Sequence, residues 1–188
     1  MKVQVGVSNR HIHLTKEDYI KLCGDKEIEE LRPINQPGMF VTTDVFTLKT
    51  EKSEIPNVRL LGPLRDYSQI EISRTDAYKL GLNPPVRTSG DLKDSEAITI
   101  VGPKGELHLN EGCIIADRHI HVTEDMKKFY GLEGKNKVNV LVGGEKGGIM
   151  FNVDLKVSDE AYFEMHIDTD DANAFMLKQG DIVEIIED

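Results

Sequence analysis

Five of the six histidines in this 188-residue chain fall in repeated peptides. Arg10-His11-Ile12-His13-Leu14-Thr15 recurs as Arg118-His119-Ile120-His121-Val122-Thr123, and each copy is followed by a short acidic stretch with helical character. Residues i and i+2 of a strand project from the same face. His11 with His13, and His119 with His121, can therefore reach one metal ion each. A lone pair of this spacing is weak evidence; two copies in the same context are strong. A second register supplies a third partner. Glu71-Ile72-Ser73-Arg74-Thr75-Asp76-Ala77 aligns with His166-Ile167-Asp168-Thr169-Asp170-Asp171-Ala172, so Glu71 stands where His166 stands. Duplication explains why such segments match. It does not explain why both residues at the differing position can bind metal.

The halves thus offer His11, His13 and Glu71, and His119, His121 and His166. Three protein ligands with an open position characterise catalytic rather than structural zinc. Imidazole equally suits copper, iron or nickel, and spacing alone does not choose among them. The exchange of Glu for His lowers the charge at one metal, which implies different duties for the two. A cupin also uses HxH, Glu and His, but it places the Glu a few residues after HxH, whereas Glu71 lies far downstream of His13. His108 lies outside both motifs and reads as a strand-surface residue.

Anion-binding features accompany the histidines. Thr15 and Thr123 are good helix N-caps, and a helix N-terminus favours bound anions. Gly62-Pro63-Leu64-Arg65 is a turn that delivers an arginine, and the guanidinium fork suits phosphate. On its own, Arg65 reads slightly better as half of a surface ion pair.

These residues must be positioned by strands. Val3–Val7, Val41–Leu48, Val58–Leu61, Gln69–Ile72, Ile98–Val101, Glu106–Leu109, Cys113–His121, Val138–Val142, Ile149–Val157, Glu164–Ile167 and Val183–Ile186 have strand character. Ile149, Phe151, Val153, Leu155 and Val157 alternate, which predicts one half-buried face. Helices are expected over Thr15–Cys23, Thr75–Leu80, Glu124–Tyr130 and Asp170–Lys178, and Asp18 three residues after Thr15 resembles a capping box. Many short strands with few short helices indicate a mainly β protein of one or two small barrels with helical caps. No low-complexity linker divides the chain.

Composition sets outer bounds. A net charge of −10 disfavours non-specific nucleic-acid binding and a basic membrane patch. No apolar run approaches a membrane span, and the first residues lack signal-peptide features. Cys23 and Cys113 match no CxxC pattern and read as two buried small hydrophobes in a reducing, cytoplasmic setting.

The chain resembles the PduL-type phosphate acyltransferases, also called phosphate propanoyltransferases or phosphotransacylases. The resemblance runs over nearly its whole length. It is carried by Ser8-Asn9-Arg10-His11-Ile12-His13-Leu14, Gln36-Pro37-Gly38, Leu61-Gly62-Pro63-Leu64-Arg65, Gln69-Ile70-Glu71-Ile72-Ser73, Thr75-Asp76-Ala77, Pro85-Val86-Arg87, Ala116-Asp117-Arg118-His119-Ile120-His121 and Glu164-Met165-His166-Ile167-Asp168-Thr169-Asp170. It implies reversible transfer of a short acyl group, acetyl or propanoyl, between coenzyme A and inorganic phosphate. It implies a pseudo-twofold pair of β-barrels, residues 1–9 with 118–188 forming one and 10–117 the other, with two zinc ions near the interface between them. By the same likeness, His11, His13 and Glu71 hold the zinc that takes the CoA sulfur. His119, His121 and His166 hold the other, completed by water or phosphate. Arg65 binds phosphate, with Arg10 or Arg118 as candidate helpers, while Arg59, Leu61 and Asn173 contact CoA. A homodimer is expected.

Many members of that family carry an N-terminal amphipathic extension for encapsulation in bacterial microcompartments. Here the first motif begins at Ser8, so the expectation is a cytoplasmic enzyme, or one that enters a microcompartment by another route. Two rival readings stay open at this point: a zinc hydrolase cleaving acyl-CoA with water, and a non-catalytic metal-binding or shell-associated module.

Overall fold

The computed structural model describes residues 1–186. The chain divides into two compact units, a terminal one made of Met1–Ser8 with Asp117–Asp188 and a central one made of Asn9–Ala116. In chain order, β1 (Lys2–Ser8) belongs to the terminal unit. The central unit follows with β2 (His11–His13), α1 (Lys16–Cys23), β3 (Glu30–Pro33), β4 (Phe40–Lys49), β5 (Glu54–Gly62), β6 (Gln69–Glu71), α2 (Arg74–Leu80), β7 (Val86–Arg87), β8 (Glu96–Val101) and β9 (Glu106–Ala116). The terminal unit resumes with β10 (His119–Val122), α3 (Glu124–Phe129), β11 (Lys137–Val142), β12 (Gly148–Val157), β13 (Glu164–Asp168), α4 (Thr169–Phe175) and β14 (Ile182–Ile186).

Each unit closes a six-stranded ring. In the terminal unit the order is β1-β13-β10-β12-β11-β14 and back to β1. In the central unit it is β4-β5-β2-β6-β9-β8 and back to β4, with β3 and β7 added at its margins. The pairing senses match strand for strand. β2 runs parallel to β5 and antiparallel to β6, as β10 runs parallel to β12 and antiparallel to β13. β6 is parallel to β9, as β13 is parallel to β1. So β9 occupies in the central barrel the place of β1 in the terminal one. Because β1 leads into β2 and β9 leads into β10, the chain leaves one unit and enters the other at each R-H-I-H peptide.

Each barrel has its own apolar interior. Ile12, Leu48, Leu60, Ile70 and Ile100 belong to the central core, and Val5, Ile120, Val140, Met150 and Met165 to the terminal one. Fully burying one such side chain is worth about 1.5–3 kcal/mol, and each ring fills its interior with its own set. Cys23 and Cys113 are unpaired and buried within the central unit. Burial, joined at Cys23 by the charge of Asp44, raises their thiols to about 11 and about 12. Both therefore stay protonated at neutral pH and act as packing groups.

Helix boundaries follow local capping chemistry. Thr15, Ser73, Thr123 and Asp168 are the N-caps, each accepting from the backbone N–H three residues on. At Thr15 the expected capping box is extended by a third residue. Its N–H donates to Ser68 Oγ at 3.1 Å, and Ser68 in turn donates to Asp18. Helix α4 stops at Phe175, earlier than its sequence suggests, because Met176 takes a left-handed conformation with φ of 55°. No described helix is long and apolar enough to cross a membrane.

Three expectations are corrected. Cys113–His121 is not one strand, since β9 ends at Ala116 and β10 begins at His119, on either side of the crossing. The short strands β3 and β7 lie where no strand was expected, and all four residues of β3 are exposed. The apolar face of β12 is not Ile149, Phe151, Val153, Leu155 and Val157. Met150 is fully buried whereas Phe151 is 62% exposed. Asn152, with φ of 58°, marks a bulge: Val138 pairs with Val153 but Val140 pairs with Met150, so β12 carries an extra residue there. One added residue exchanges the two faces of everything before it.

Candidate metal centres and anion site

In the central unit, β2 and β6 pair antiparallel with His11 directly across from Glu71. That register, set by the burial of Ile12 and Ile70 between the polar positions, gathers His11, His13 and Glu71 into one group able to hold a metal ion. The terminal unit repeats it. β10 pairs with β13 so that His119 faces His166, and His119, His121 and His166 form the second group. Glu71 and His166 thus occupy equivalent positions in three dimensions as well as along the chain.

Hydrogen bonds assign the imidazole tautomers. A carbonyl oxygen only accepts, so a ring nitrogen bound to one must carry the hydrogen. Nδ1 of His11 donates to Asn9 O at 2.9 Å, Nδ1 of His13 to Leu61 O at 3.3 Å, and Nδ1 of His119 to Asp117 O at 2.8 Å. In the neutral ring each therefore presents a bare Nε2, the arrangement that orients histidine ligands in metal sites. Two ligand atoms about 2.0–2.1 Å from a tetrahedral zinc lie about 3.3 Å from each other. The separation is 3.3 Å between His11 Nε2 and Glu71 Oε2, and 3.2 Å between Nε2 of His119 and of His121. Both donor sets fit a tetrahedral ion with a position left open.

Electrostatics act on the two histidines of the central group in opposite directions. Burial opposes charge on His11, but the facing Glu71 carboxylate outweighs it and raises the proton affinity of that ring. Burial, then the neighbouring His11 and Arg65, hold His13 well below the usual histidine range, so it stays neutral.

Arg65 belongs to the same group. Its N–H donates to Leu14 O at 2.9 Å, fastening the turn to the end of β2 just after His13. Its Nη1 donates to Tyr67 Oη at 3.0 Å and to Ser89 Oγ at 3.1 Å. Among the described residues, its Nε and Nη2 make no hydrogen bond, leaving one edge of the fork for an anion. Ser89 also accepts from Gln69 Nε2 at 2.9 Å, and Gln69 Nε2 donates to Glu71 Oε1 at 2.6 Å. One polar relay therefore runs from the Glu71 carboxylate to the arginine.

Arg10 and Arg118, the candidate helpers of Arg65, are each paired with a carboxylate of a later helix in their own unit. Arg10 makes a two-pronged contact with Asp76, Nε and Nη2 each at 2.8 Å from a carboxylate oxygen, and Arg118 pairs with Asp171 at 3.1 Å. Each ties the start of a histidine strand to the helix that follows the third ligand. Asp76 is almost wholly buried. Asp76→Ala is expected to destabilise the central unit by about 2–3 kcal/mol, since two charge-assisted bonds are lost. Chemical denaturation of variant and parent checks this; an unchanged midpoint would remove the anchoring role.

The remaining candidates lie apart from these groups or touch them through the backbone. Leu61 contributes its carbonyl to His13, and Arg59, exposed on β5, stands across from His11 and donates to Thr42 O at 3.3 Å. Asn173 is exposed on α4 of the terminal unit. His108 lies on the surface of β9 against Thr99. The residues missed by sequence reasoning are Gln69, Ser89, Tyr67 and Glu164. Gln69 and Glu164 each stand two residues before the third ligand, and the same i, i+2 rule that found the histidine pairs points to them.

Comparison with known proteins adds the following. A family described as phosphate propanoyltransferase matches residues 4–178. The chain is 45% identical over 185 residues to the phosphate propanoyltransferase of Thermotoga maritima, covering 97% of this chain and 88% of that one. It is 46% identical over 173 residues to that of Citrobacter koseri and 45% identical over 173 residues to that of Salmonella typhimurium. In each case 92% of this chain and 82% of the relative are covered.

Proposed function

The chain belongs to the phosphate propanoyltransferase family, a family of acyltransferases, and from that premise we propose a zinc-dependent exchange of a short acyl group, acetyl or propanoyl, between coenzyme A and inorganic phosphate. In the forward sense the carbon–sulfur bond of acyl-CoA breaks, a phosphate oxygen bonds to the acyl carbon, and acyl phosphate and CoA thiol result. The observation that carries this reading is the arginine fork, open along one edge, fastened beside the His11, His13 and Glu71 group.

His11, His13 and Glu71 would hold one zinc with a position left for the CoA sulfur. His119, His121 and His166 would hold the other, completed by water or phosphate. Zinc supplies a Lewis acid for the thioester and a partner for the departing thiolate. The protein's own residues do the rest. Arg65 takes the phosphate dianion through Nε and Nη2 while Tyr67 and Ser89 hold its other nitrogen. Backbone carbonyls keep the histidine tautomers fixed. Holding two anionic substrates together is the main barrier, and positioning of this kind can contribute several powers of ten. Arg59 and Asn173 are exposed and polar, as contacts to the CoA phosphates and amides require, and Leu61 adds apolar surface.

The test is release of free CoA from acetyl- and propanoyl-CoA with and without phosphate, with metal analysis of the same sample. Phosphate-dependent release with about two zinc ions per chain is the expected result. Release independent of phosphate would instead identify a hydrolase, and metal binding without turnover a binding module.

A further inference from the structure

Glu164 is the buried carboxylate that this reaction scheme leaves without a task. It lies on β13 two residues before His166, is 3% exposed, and has Oε2 2.8 Å from His166 Nε2. Its equivalent in the central barrel is Gln69, two residues before Glu71, which contacts Glu71 at 2.6 Å. The two centres are therefore related by an exchange. In the central barrel the third ligand is the carboxylate and the residue behind it is a neutral amide. In the terminal barrel the third ligand is neutral and the residue behind it carries the carboxylate. Gly6 makes room for this pair. It faces His166 across β1 and β13, where the central barrel carries Ile114 opposite Glu71. A Cβ at Gly6 would lie 2.8 Å from His166 Cδ2 and 2.9 Å from Glu164 Cδ.

We propose that Glu164 is the positioning carboxylate of the three-histidine centre: it accepts the Nε2–H of His166, turns that ring to present Nδ1 to the metal, and returns to this centre the negative charge that Glu71 supplies to the other. His166 thus binds through the opposite nitrogen from His11, His13 and His119. A carboxylate behind a metal-bound imidazole raises its basicity and fixes its orientation, and loss of such a partner typically weakens metal binding about 10–100-fold. The proposal rests on the reading of both groups as metal centres.

Zinc affinities of the two centres can be measured by competition with a chromophoric chelator, and the coordination by the visible spectrum of the cobalt(II)-loaded protein. The parent should bind two ions; fewer would defeat the metal reading itself. In Glu164→Gln, which keeps size and hydrogen-bonding capacity but loses charge, one ion should bind as in the parent. The other should bind about 10–100-fold more weakly, with a tetrahedral cobalt spectrum once loaded. Parent-like affinity for both ions overturns the proposal. So does a tetrahedral signature lost from one centre, since Glu164 would then be a direct ligand, and so does equal weakening of both, which marks a general folding role. Gly6→Ala, which leaves the carboxylate in place but crowds it against the ring, should reproduce the selective weakening if Glu164→Gln fails to fold; its failure to do so also overturns the proposal.

Discussion

Arg65→Ala is expected to lower phosphate-dependent CoA release by about 10²–10³-fold, the usual cost of removing one preorganised group that meets developing or transferring charge. The loss should appear both as weaker dependence on phosphate and as a lower maximal rate, because the guanidinium binds the anion and aims its oxygen. Arg65→Lys should recover only part of it. Lysine restores the charge but not the planar fork, and it cannot grip Tyr67 and Ser89 with one nitrogen while offering two others. Zinc content should be unchanged in both variants, since Arg65 contacts no ligand directly and its positive charge opposes a cation beside His11 and His13. Initial rates across phosphate concentrations, with metal analysis, decide the matter. Unchanged turnover in Arg65→Ala would take away its role.

How much of this was legible in the sequence depended on the range of the signal. The i, i+2 spacing in His11-Ile12-His13 is a strand-level fact, and β2 realises it with Ile12 pointing into the core. The alignment of Glu71 with His166 needed only the repeat, and the strand registers place both opposite the first histidine of their motif. The bulge at Asn152 was not legible, because the phase of β12 is defined by its partner β11 and not by its own alternation. Nor could β3 be found, since its four exposed residues carry no apolar periodicity and it exists by pairing with β4. That Arg10 pairs with Asp76 and Arg118 with Asp171 depends on where α2 and α4 pack, which no local pattern specifies.

Charge at the two centres is balanced differently from what the aligned ligands alone suggest. Read as a sequence, Glu71 against His166 makes one centre more negative than the other. With Gln69 and Glu164 included, each centre holds one carboxylate and one neutral group at this pair of positions. The asymmetry lies in where the carboxylate stands. In the central barrel it belongs to the candidate ligand group itself. In the terminal barrel it stands behind a histidine of the group, 2.8 Å from His166 Nε2. Under the proposed function the two ions would differ on that ground, one having a carboxylate among its ligands and the other three imidazoles and so the more acidic bound water.

Metal removal follows from the same geometry and should have the largest effect of all. Exhaustive chelation is expected to lower turnover by about 10³-fold or more, since the loss of several kcal/mol of charge stabilisation at the thioester scales as tenfold per 1.4 kcal/mol. The fold should nonetheless survive. Each barrel ring is closed by strand pairing, and each core is filled by residues such as Ile12 and Ile70 or Ile120 and Met165 that the ion does not touch. Without metal, His11 can still pair with Glu71, and His166 with Glu164, so neither carboxylate is left stranded. The chelated protein should therefore keep its far-ultraviolet dichroism and melt cooperatively at a somewhat lower temperature, by the mass-action loss of a ligand that binds the folded state. Zinc added back should restore activity without refolding. Full turnover in metal-free protein would end the metal reading, whereas collapse of the dichroism would make the ions structural.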